Sequence, residues 1–200
     1  MTSTFYATGS GVGSIVNNPS STNWTTVRNT SGAGTATRTG LGYIQAAIDT
    51  GAGNVYYCER YLCPIDTSSL GASATVSAAT LKVYTGGDAQ HSFDMVVVKT
   101  TQASPTAIAT DDYLDFGSSL VTNVVSMDAT ESYTLTFADL TAINTTGYSL
   151  IGLRNSHYDN ENVAPDYYDG VTIKFEANKY ITLTVTYTKP EVGSFLLNFL

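Results

Sequence analysis

The densest run of oxygen-bearing side chains lies between Asn155 and Gly170, N-S-H-Y-D-N-E-N-V-A-P-D-Y-Y-D-G. Asp159, Glu161, Asp166 and Asp169 are spread through it, interleaved with Asn160 and Asn162. Hard cations are held by several carboxylate and carbonyl oxygens that converge on one point. Calcium ligated by these four acids is therefore one reading of the stretch; an exposed acidic loop without metal is the other. The spacing is not that of an EF-hand loop. Tyr158, Tyr167 and Tyr168 stand among the carboxylates, and Trp24 is the single tryptophan. Aromatic rings beside amides and carboxylates suit stacking on sugar rings, so these four rings are a candidate glycan contact, with burial inside the domain as the alternative.

A catalytic set is not legible. His91 follows a turn and His157 lies in Asn155-Ser156-His157-Tyr158. No G-x-S-x-G elbow surrounds a serine, and no H-E-x-x-H pair occurs. Thr8-Gly9-Ser10-Gly11-Val12-Gly13 is superficially like a phosphate loop, but neither a strand–helix context nor a lysine follows. Cys58 and Cys63, the two cysteines, are five apart. On a regular strand they point to opposite faces, so a bond between them needs a bulge or turn. Reduced thiols, at least one in the core, are expected; a disulfide within or between chains is the alternative. Asn23-Trp24-Thr25, Asn29-Thr30-Ser31 and Asn144-Thr145-Thr146 match the N-glycosylation acceptor pattern. The expectation is a protein that is not an enzyme.

Composition bounds the partners. The net charge is −8 and charged residues are only 13% of the 200-residue chain. Nucleic acid demands a basic stripe, which an acidic chain does not offer. No run approaches the ~20 apolar residues of a membrane span. Met1-Thr2-Ser3-Thr4-Phe5-Tyr6 lacks the basic and apolar regions of a signal peptide. A native Met1 then favours a virion protein made in a cytoplasm; an added Met1 leaves a removed signal open. The expected location is a virion or the extracellular space.

The elements that position these residues read as short strands. Residues 1–42 form an arm with one or two edge strands and long loops, including an exposed loop from Thr30 to Gly42. Residues 43–188 carry regular strand signals separated by turns: Tyr43–Ile48, Val55–Leu62, Thr75–Tyr84, Phe93–Thr100, Leu120–Val125, Tyr133–Phe137, Tyr148–Leu153, Val171–Phe175 and Ile181–Tyr187. Met95-Val96-Val97-Val98 suits a strand buried on both faces. Ile181, Leu183, Val185 and Tyr187 alternate with threonines, as in a half-buried antiparallel strand. Helical spacing is confined to Ala138–Asn144 and Asp112–Phe116. The fold class is all-β, an antiparallel jelly-roll β-sandwich with one or two short helical turns.

Residues 189–200 form an apolar C-terminal tail. Phe195, Leu196, Leu197, Phe199 and Leu200 would be an aggregation hazard in water, so they are expected to dock, against another subunit or back over the tail's own domain.

Arg60 through Tyr84 contains R-Y-L-C-P-I-D-T-S-S-L followed by A-T-V-S-A-A-T-L-K-V-Y. It resembles the motif of DNRLRE-type β-sandwich modules, which are similar to jelly-roll carbohydrate-binding modules of cell-surface proteins. It is also similar to virome proteins thought to belong to tailed-phage particles, which share two later segments. Here these are Thr146–Asp159, with Gly152-Leu153-Arg154-Asn155 and Tyr158-Asp159, and Val185-Thr186-Tyr187-Thr188. The likeness covers roughly 43–188 and departs at Cys63-Pro64-Ile65, where the pattern has aromatic and aliphatic residues. It implies a non-enzymatic module and carries no catalytic residues. Independently of it, Asp66 can close an Asx turn onto the following residues, and Arg60 near a strand centre suits pairing with a buried carboxylate. Arg154, beside a turn, reads similarly.

Two functions follow as expectations. One is a structural subunit of a virion or extracellular assembly, a phage decoration or appendage protein or a filament subunit, whose partners are copies of itself or neighbouring virion or filament proteins. The other is a carbohydrate-binding module or adhesin that contacts surface glycans.

Overall fold

The computed structural model describes residues 1–17, 21, 23–29, 36–40, 42–84, 93–121, 125–127, 132–167, 169–173 and 181–190. In chain order the elements are β1 (Thr2–Tyr6), β2 (Gly13–Asn17), α1 (Trp24–Asn29), β3 (Ala36–Thr39), β4 (Gly42–Asp49), β5 (Val55–Leu62) and β6 (Ile65–Asp66). They continue with β7 (Thr75–Tyr84), β8 (Phe93–Thr100), β9 (Phe116–Ser119), β10 (Val125–Met127), β11 (Ser132–Thr136) and β12 (Tyr148–Ser149). β13 (Ile151–Asn155), β14 (Asp169–Ile173) and β15 (Thr182–Thr188) complete the set. The chain folds as an all-β sandwich of antiparallel sheets.

The threonine–apolar alternation of β15 shapes the first sheet, whose order is β1-β15-β7-β11. Register aligns Phe5, Leu183, Leu81 and Leu135 in one row across it. Leu183, Leu81 and Leu135 are buried in that row, each contributing about 1.5–3 kcal/mol if fully removed from water. One residue along, Thr4, Thr184, Thr80 and Thr136 form the matching row on the outer face. β-branched threonines keep strand geometry there while staying wet.

The second sheet has nine strands along the path β10-β8-β13-β5-β2-β3, with β4, β14 and β9 branching off it. β4 pairs with β5 from Val55 to Glu59, and β13 pairs with the same edge at Tyr61 and Leu62. β2 holds the opposite edge of β5. The far half of β5, Cys58 to Leu62, is consequently flanked on both sides and buried on both faces. β8 is likewise double-sided, with Met95 through Val98 buried. A two-stranded ribbon of β6 and β12 stands beside these sheets. From β1 to β15 the chain passes between the two sheets in blocks: β1 in the first, β2 to β5 in the second, β7 in the first, β8 to β10 in the second, β11 in the first, β13 and β14 in the second, and β15 in the first.

Several expectations need correction. The edge strands expected within residues 1–42 are β1 and β3, at the ends of their sheet orders, but β2 is an inner strand between β5 and β3, all of its residues buried. Gly13 makes this possible, because a Cβ there would sit 1.9 Å from the Arg38 carbonyl oxygen. Ala36–Thr39, read as loop, is β3. Of the strand expected over Leu120–Val125, residues 122–124 lie outside the described residues; β9 ends at Ser119, Val121 makes an isolated antiparallel bridge to Phe137, and β10 begins at Val125. Ala138–Asn144 is turns and not a helix, because the Asp139 carboxylate accepts from both the amide and the hydroxyl of Thr141 at 2.8 and 2.7 Å. The other helical turn is 3-10, Thr110–Leu114, anchored by Asp112, whose carboxylate accepts from the amides of Ala109 and Ala103. α1 was not anticipated. Asn23 caps it, accepting from the Thr26 amide at 3.0 Å.

Candidate functional site

The polar centre of the second sheet is Arg60, on the doubly buried half of β5. Its partner is Asp159, in a single π-helical turn, Ser156–Asn160. The Asn155 side chain caps that turn by accepting from the Tyr158 amide at 2.7 Å. The turn sends Asp159 inward, only 1% exposed, and leaves His157 at the surface. Arg60 Nε donates to Asp159 Oδ2 at 2.7 Å and Nη2 donates to Oδ1 at 2.6 Å, a bidentate fork. Nη1 donates to the Tyr113 carbonyl at 2.6 Å and Nη2 also to the Arg28 carbonyl at 3.1 Å. The guanidinium stacks on the Tyr113 ring, 4.2 Å from its centroid. Arg28, from α1, donates to the Asp159 carbonyl and lies 3.4 Å from its carboxylate. Arg154 donates to the Gly117 carbonyl at 3.0 Å and to Asn160 Oδ1.

Charge and burial compete throughout this cluster. Burial pushes the Asp159 carboxyl up, but Arg60, helped by Arg154 and Arg28, outweighs it and holds the group below its ordinary value. Burial works against the charge on Arg60 too; Asp159 outweighs that and pushes the guanidinium up. Cys58 lies against the same cluster. Burial, then the Asp159 charge, pushes its thiol up to about 12, so it carries no thiolate nucleophile at neutral pH. Cys63 is also free, buried and raised by burial. With both oxygens of Asp159 taken by Arg60, the arrangement ties α1, β5, the Thr110–Leu114 turn and the π-turn together. Arg60 and Asp159 themselves are closed to solvent.

The opposite face of β5 holds a second buried carboxylate. Glu59 accepts from the Ser14 hydroxyl and, at 3.1 Å, from Gln45 Nε2, and lies 3.8 Å from Arg38 Nη1. Burial pushes its carboxyl above the ordinary value, partly offset by Ser14, Arg38 and the Tyr43 backbone. Arg38 stands over the Tyr43 ring at 5.0 Å and closes this site from the solvent side.

Of the acids read as calcium ligands, Asp159, Glu161 and Asp166 do not converge on one point. Asp159 is not in an exposed acidic loop: it faces the core and is spent on Arg60. Glu161 is a surface residue facing His157 Nδ1 at 3.3 Å. Asp166 accepts from the Tyr158 hydroxyl at 3.3 Å. Asp169 pairs with Ala46 through β14, its side chain outside the described residues. No group of three or more His, Cys, Asp or Glu side chains is arranged to hold an ion among the described residues.

Of the rings read as a glycan contact, Trp24 and Tyr158 are buried and Tyr167 is exposed. Trp24 is 5% exposed and packs on Tyr56, so its ring is not offered to a ligand. Tyr158 is 5% exposed, packed against His157 and edge-on to Tyr167. Tyr167, at 41%, is exposed. Tyr168, His91 and the tail residues Phe195, Leu196, Leu197, Phe199 and Leu200 lie outside the described residues.

The motif segments are explained by this geometry. Asp66 Oδ1 accepts from the Ser68 amide at 3.0 Å, closing the turn read from sequence. Thr67 reaches Ser149 Oγ at 2.7 Å, joining the first motif to the second beside the Arg60–Asp159 link. Sequence reasoning missed Glu59 and its partner Ser14; a glutamate beside Arg60 in a strand of aromatic and apolar residues was the available signal. Comparison with protein-family models, with curated proteins and with solved structures finds no match.

Proposed function

We propose that this chain is a non-enzymatic structural subunit of an extracellular or virion assembly, such as a phage decoration or appendage protein or a filament subunit. Its copies join through sandwich edges and the apolar tail. The observation that carries this reading is the outer edge of β1. From Thr2 to Phe5 it pairs with β15 on one side and, among the described residues, has no strand on the other. Neither a charge nor a proline guards it. Such an edge is a template for another chain, and donating an extended segment to a sheet edge is a recurrent way for proteins to join. A segment as long as Ser194–Leu200 spans about 23 Å when extended, enough to lie along all of β1. The neutral threonine row beside that edge adds a surface without charge repulsion between copies.

Two further points support the reading. The most perturbed titratable groups are consumed by internal contacts, which argues against an enzyme. The repeated passage of the chain between the two sheets supports jelly-roll connectivity, an architecture used by capsid and lectin domains. The glycan-binding alternative through Trp24 and Tyr158 loses ground because both rings are buried.

Sedimentation velocity over a concentration series tests the proposal with the full chain, the Thr4→Lys variant and a chain lacking residues 194–200. Self-association is expected in the full chain and is reduced in both variants, with circular dichroism unchanged. A full chain that stays monomeric throughout, or variants that associate equally well, removes this reading.

A further inference from the structure

Three guanidiniums crowd one carboxylate at the π-turn. Arg60, Arg154 and Arg28 all act on Asp159, and no second carboxylate forms an ion pair with any of them among the described residues. Three positive charges against one negative leave a local excess of +2, inside a chain whose net charge is −8. Arg60 and Asp159 satisfy each other, so the excess sits on Arg28 and Arg154. Glu161, the next acid along the turn, faces His157 at 3.3 Å instead.

Both arginines are anchored by neutral oxygens. Arg28 Nε donates to the Asp159 carbonyl, and Nη1 to Asn29 Oδ1 at 2.7 Å. Arg154 Nη2 donates to the Gly117 carbonyl at 3.0 Å and to Asn160 Oδ1. Each side chain keeps one terminal nitrogen, Nη2 of Arg28 and Nη1 of Arg154, without a hydrogen bond to a described residue. Neither of these is sealed: the Arg28 side chain is 18% exposed, and Nε is the only Arg154 nitrogen that is both closed off and without a partner. Asp159 and Asn160 are consecutive, so the two guanidiniums are anchored at neighbouring points of one turn.

Such an excess is costly where burial removes water. Burial pulls the Arg154 guanidinium below its ordinary value; Asp159 offsets part of that, and repulsion from Arg60 and Arg28 adds to the fall. An anion from solution relieves a cation that lacks its own counter-ion. The turn is already capped by Asn155, so little ordering remains to oppose binding.

We propose that Arg28 and Arg154 hold a dianionic phosphate, free or as a phosphomonoester, through Nη2 and Nη1. Charge selects it: a phosphate group carries about −1.5 to −2 at neutral pH and cancels the excess, whereas a carboxylate or a phosphodiester carries a single charge. The planar guanidinium donors suit phosphate oxygens. Two arginines make a point and not the basic stripe that a nucleic acid needs. Because the rest of the chain is acidic, the attraction is local. This site is independent of the assembly reading.

Amide-resolved NMR titrations of the full chain with inorganic phosphate, methyl phosphate and acetate, at an ionic strength held constant with sodium chloride, provide the test. Phosphate is expected to give saturable shifts at Arg28, Gly117, Arg154 and Asn160 and to bind about tenfold more tightly than acetate. Tighter binding of methyl phosphate assigns a monoester; tighter binding of inorganic phosphate assigns the free ion. Arg154→Met and Arg28→Gln each weaken phosphate about tenfold, while Lys82→Gln, on the first sheet, leaves it unchanged. Phosphate also raises the thermal midpoint of the parent above the chloride control, and Arg28→Gln loses most of that rise. The spectra report whether each variant is folded, and the partly exposed Arg28 keeps the test open if Arg154→Met unfolds. No saturable shift, shifts confined to other residues, acetate binding as tightly as phosphate, or a folded Arg28→Gln that binds like the parent each overturns the proposal.

Discussion

Arg60 and Asp159, 99 positions apart in sequence, are joined by two hydrogen bonds of 2.7 and 2.6 Å in a site closed to solvent. One comes from the middle of a strand, the other from a π-turn that follows another strand. Their link is one of the points where the two motif segments meet, the Thr67–Ser149 hydrogen bond being another.

Breaking this pair from one side leaves a buried charge without a partner. Asp159→Ala exposes Arg60 to that penalty, and a loss of about 3–5 kcal/mol is expected in urea denaturation. The double variant Arg60→Met, Asp159→Leu removes both charges and costs less than the sum of the single changes. Single variants that lose under about 1 kcal/mol would show that the pair does not hold the turns in place.

Acid acts on the two buried carboxylates in opposite senses. Asp159 is held below its unfolded value of about 3.9, so its contribution is complete above that pH and is lost as pH falls through the lower folded value. Glu59 is raised above its unfolded value of about 4.3, so the folded form holds its proton more tightly. Its contribution declines as pH rises from about 4.3 through the raised value. Glu59→Gln removes that decline. Relative to the parent it is expected to gain stability at pH 7 and to lose the gain as pH approaches 4, read from urea midpoints at each pH. A pH-independent difference would contradict the assignment.

The two thiols are expected to be inert in the folded protein. Both are buried, and Cys58 is pushed up to about 12. Ellman's reagent should label neither at neutral pH until denaturant is added, and then both. Rapid labelling of the native chain would place at least one thiol in an opening segment.

Gly13 has φ +152°, and a Cβ there would lie 1.9 Å from the Arg38 carbonyl oxygen and 2.9 Å from the Ile108 side chain. Gly13→Ala therefore forces β2 and β3 apart. A cost of about 1–3 kcal/mol is expected in thermal or urea unfolding. Gly40→Ala tests the φ effect alone: it shares a positive φ of +80° but has open space around its Cβ position. Equal costs at both sites would assign the effect to φ and not to the close approach.

Local pattern alone determined several strands, by period two or by a short continuous apolar run. Val55–Leu62, Thr75–Tyr84 and Phe93–Thr100 are strands with those bounds, and Leu183, Val185 and Tyr187 turn inward while their threonine neighbours do not. Period two is a property of the chain itself, so it survives any arrangement of partners. The Asx turn at Asp66 and the reduced state of the cysteines were legible for the same local reason. What depends on partners was not. Gly13–Asn17 is too short and mixed to show a pattern; its place between two strands follows from the close approach that Gly13 permits and from Ser14 meeting Glu59. Asp159 looked like a surface ligand because its neighbours are polar, yet one π-turn rotates it onto an arginine from β5. Arg28 and Arg154 meet at the same turn from α1 and β13, and only tertiary contact brings them to it. Convergence of this kind is decided by long-range contacts, which no window of sequence contains.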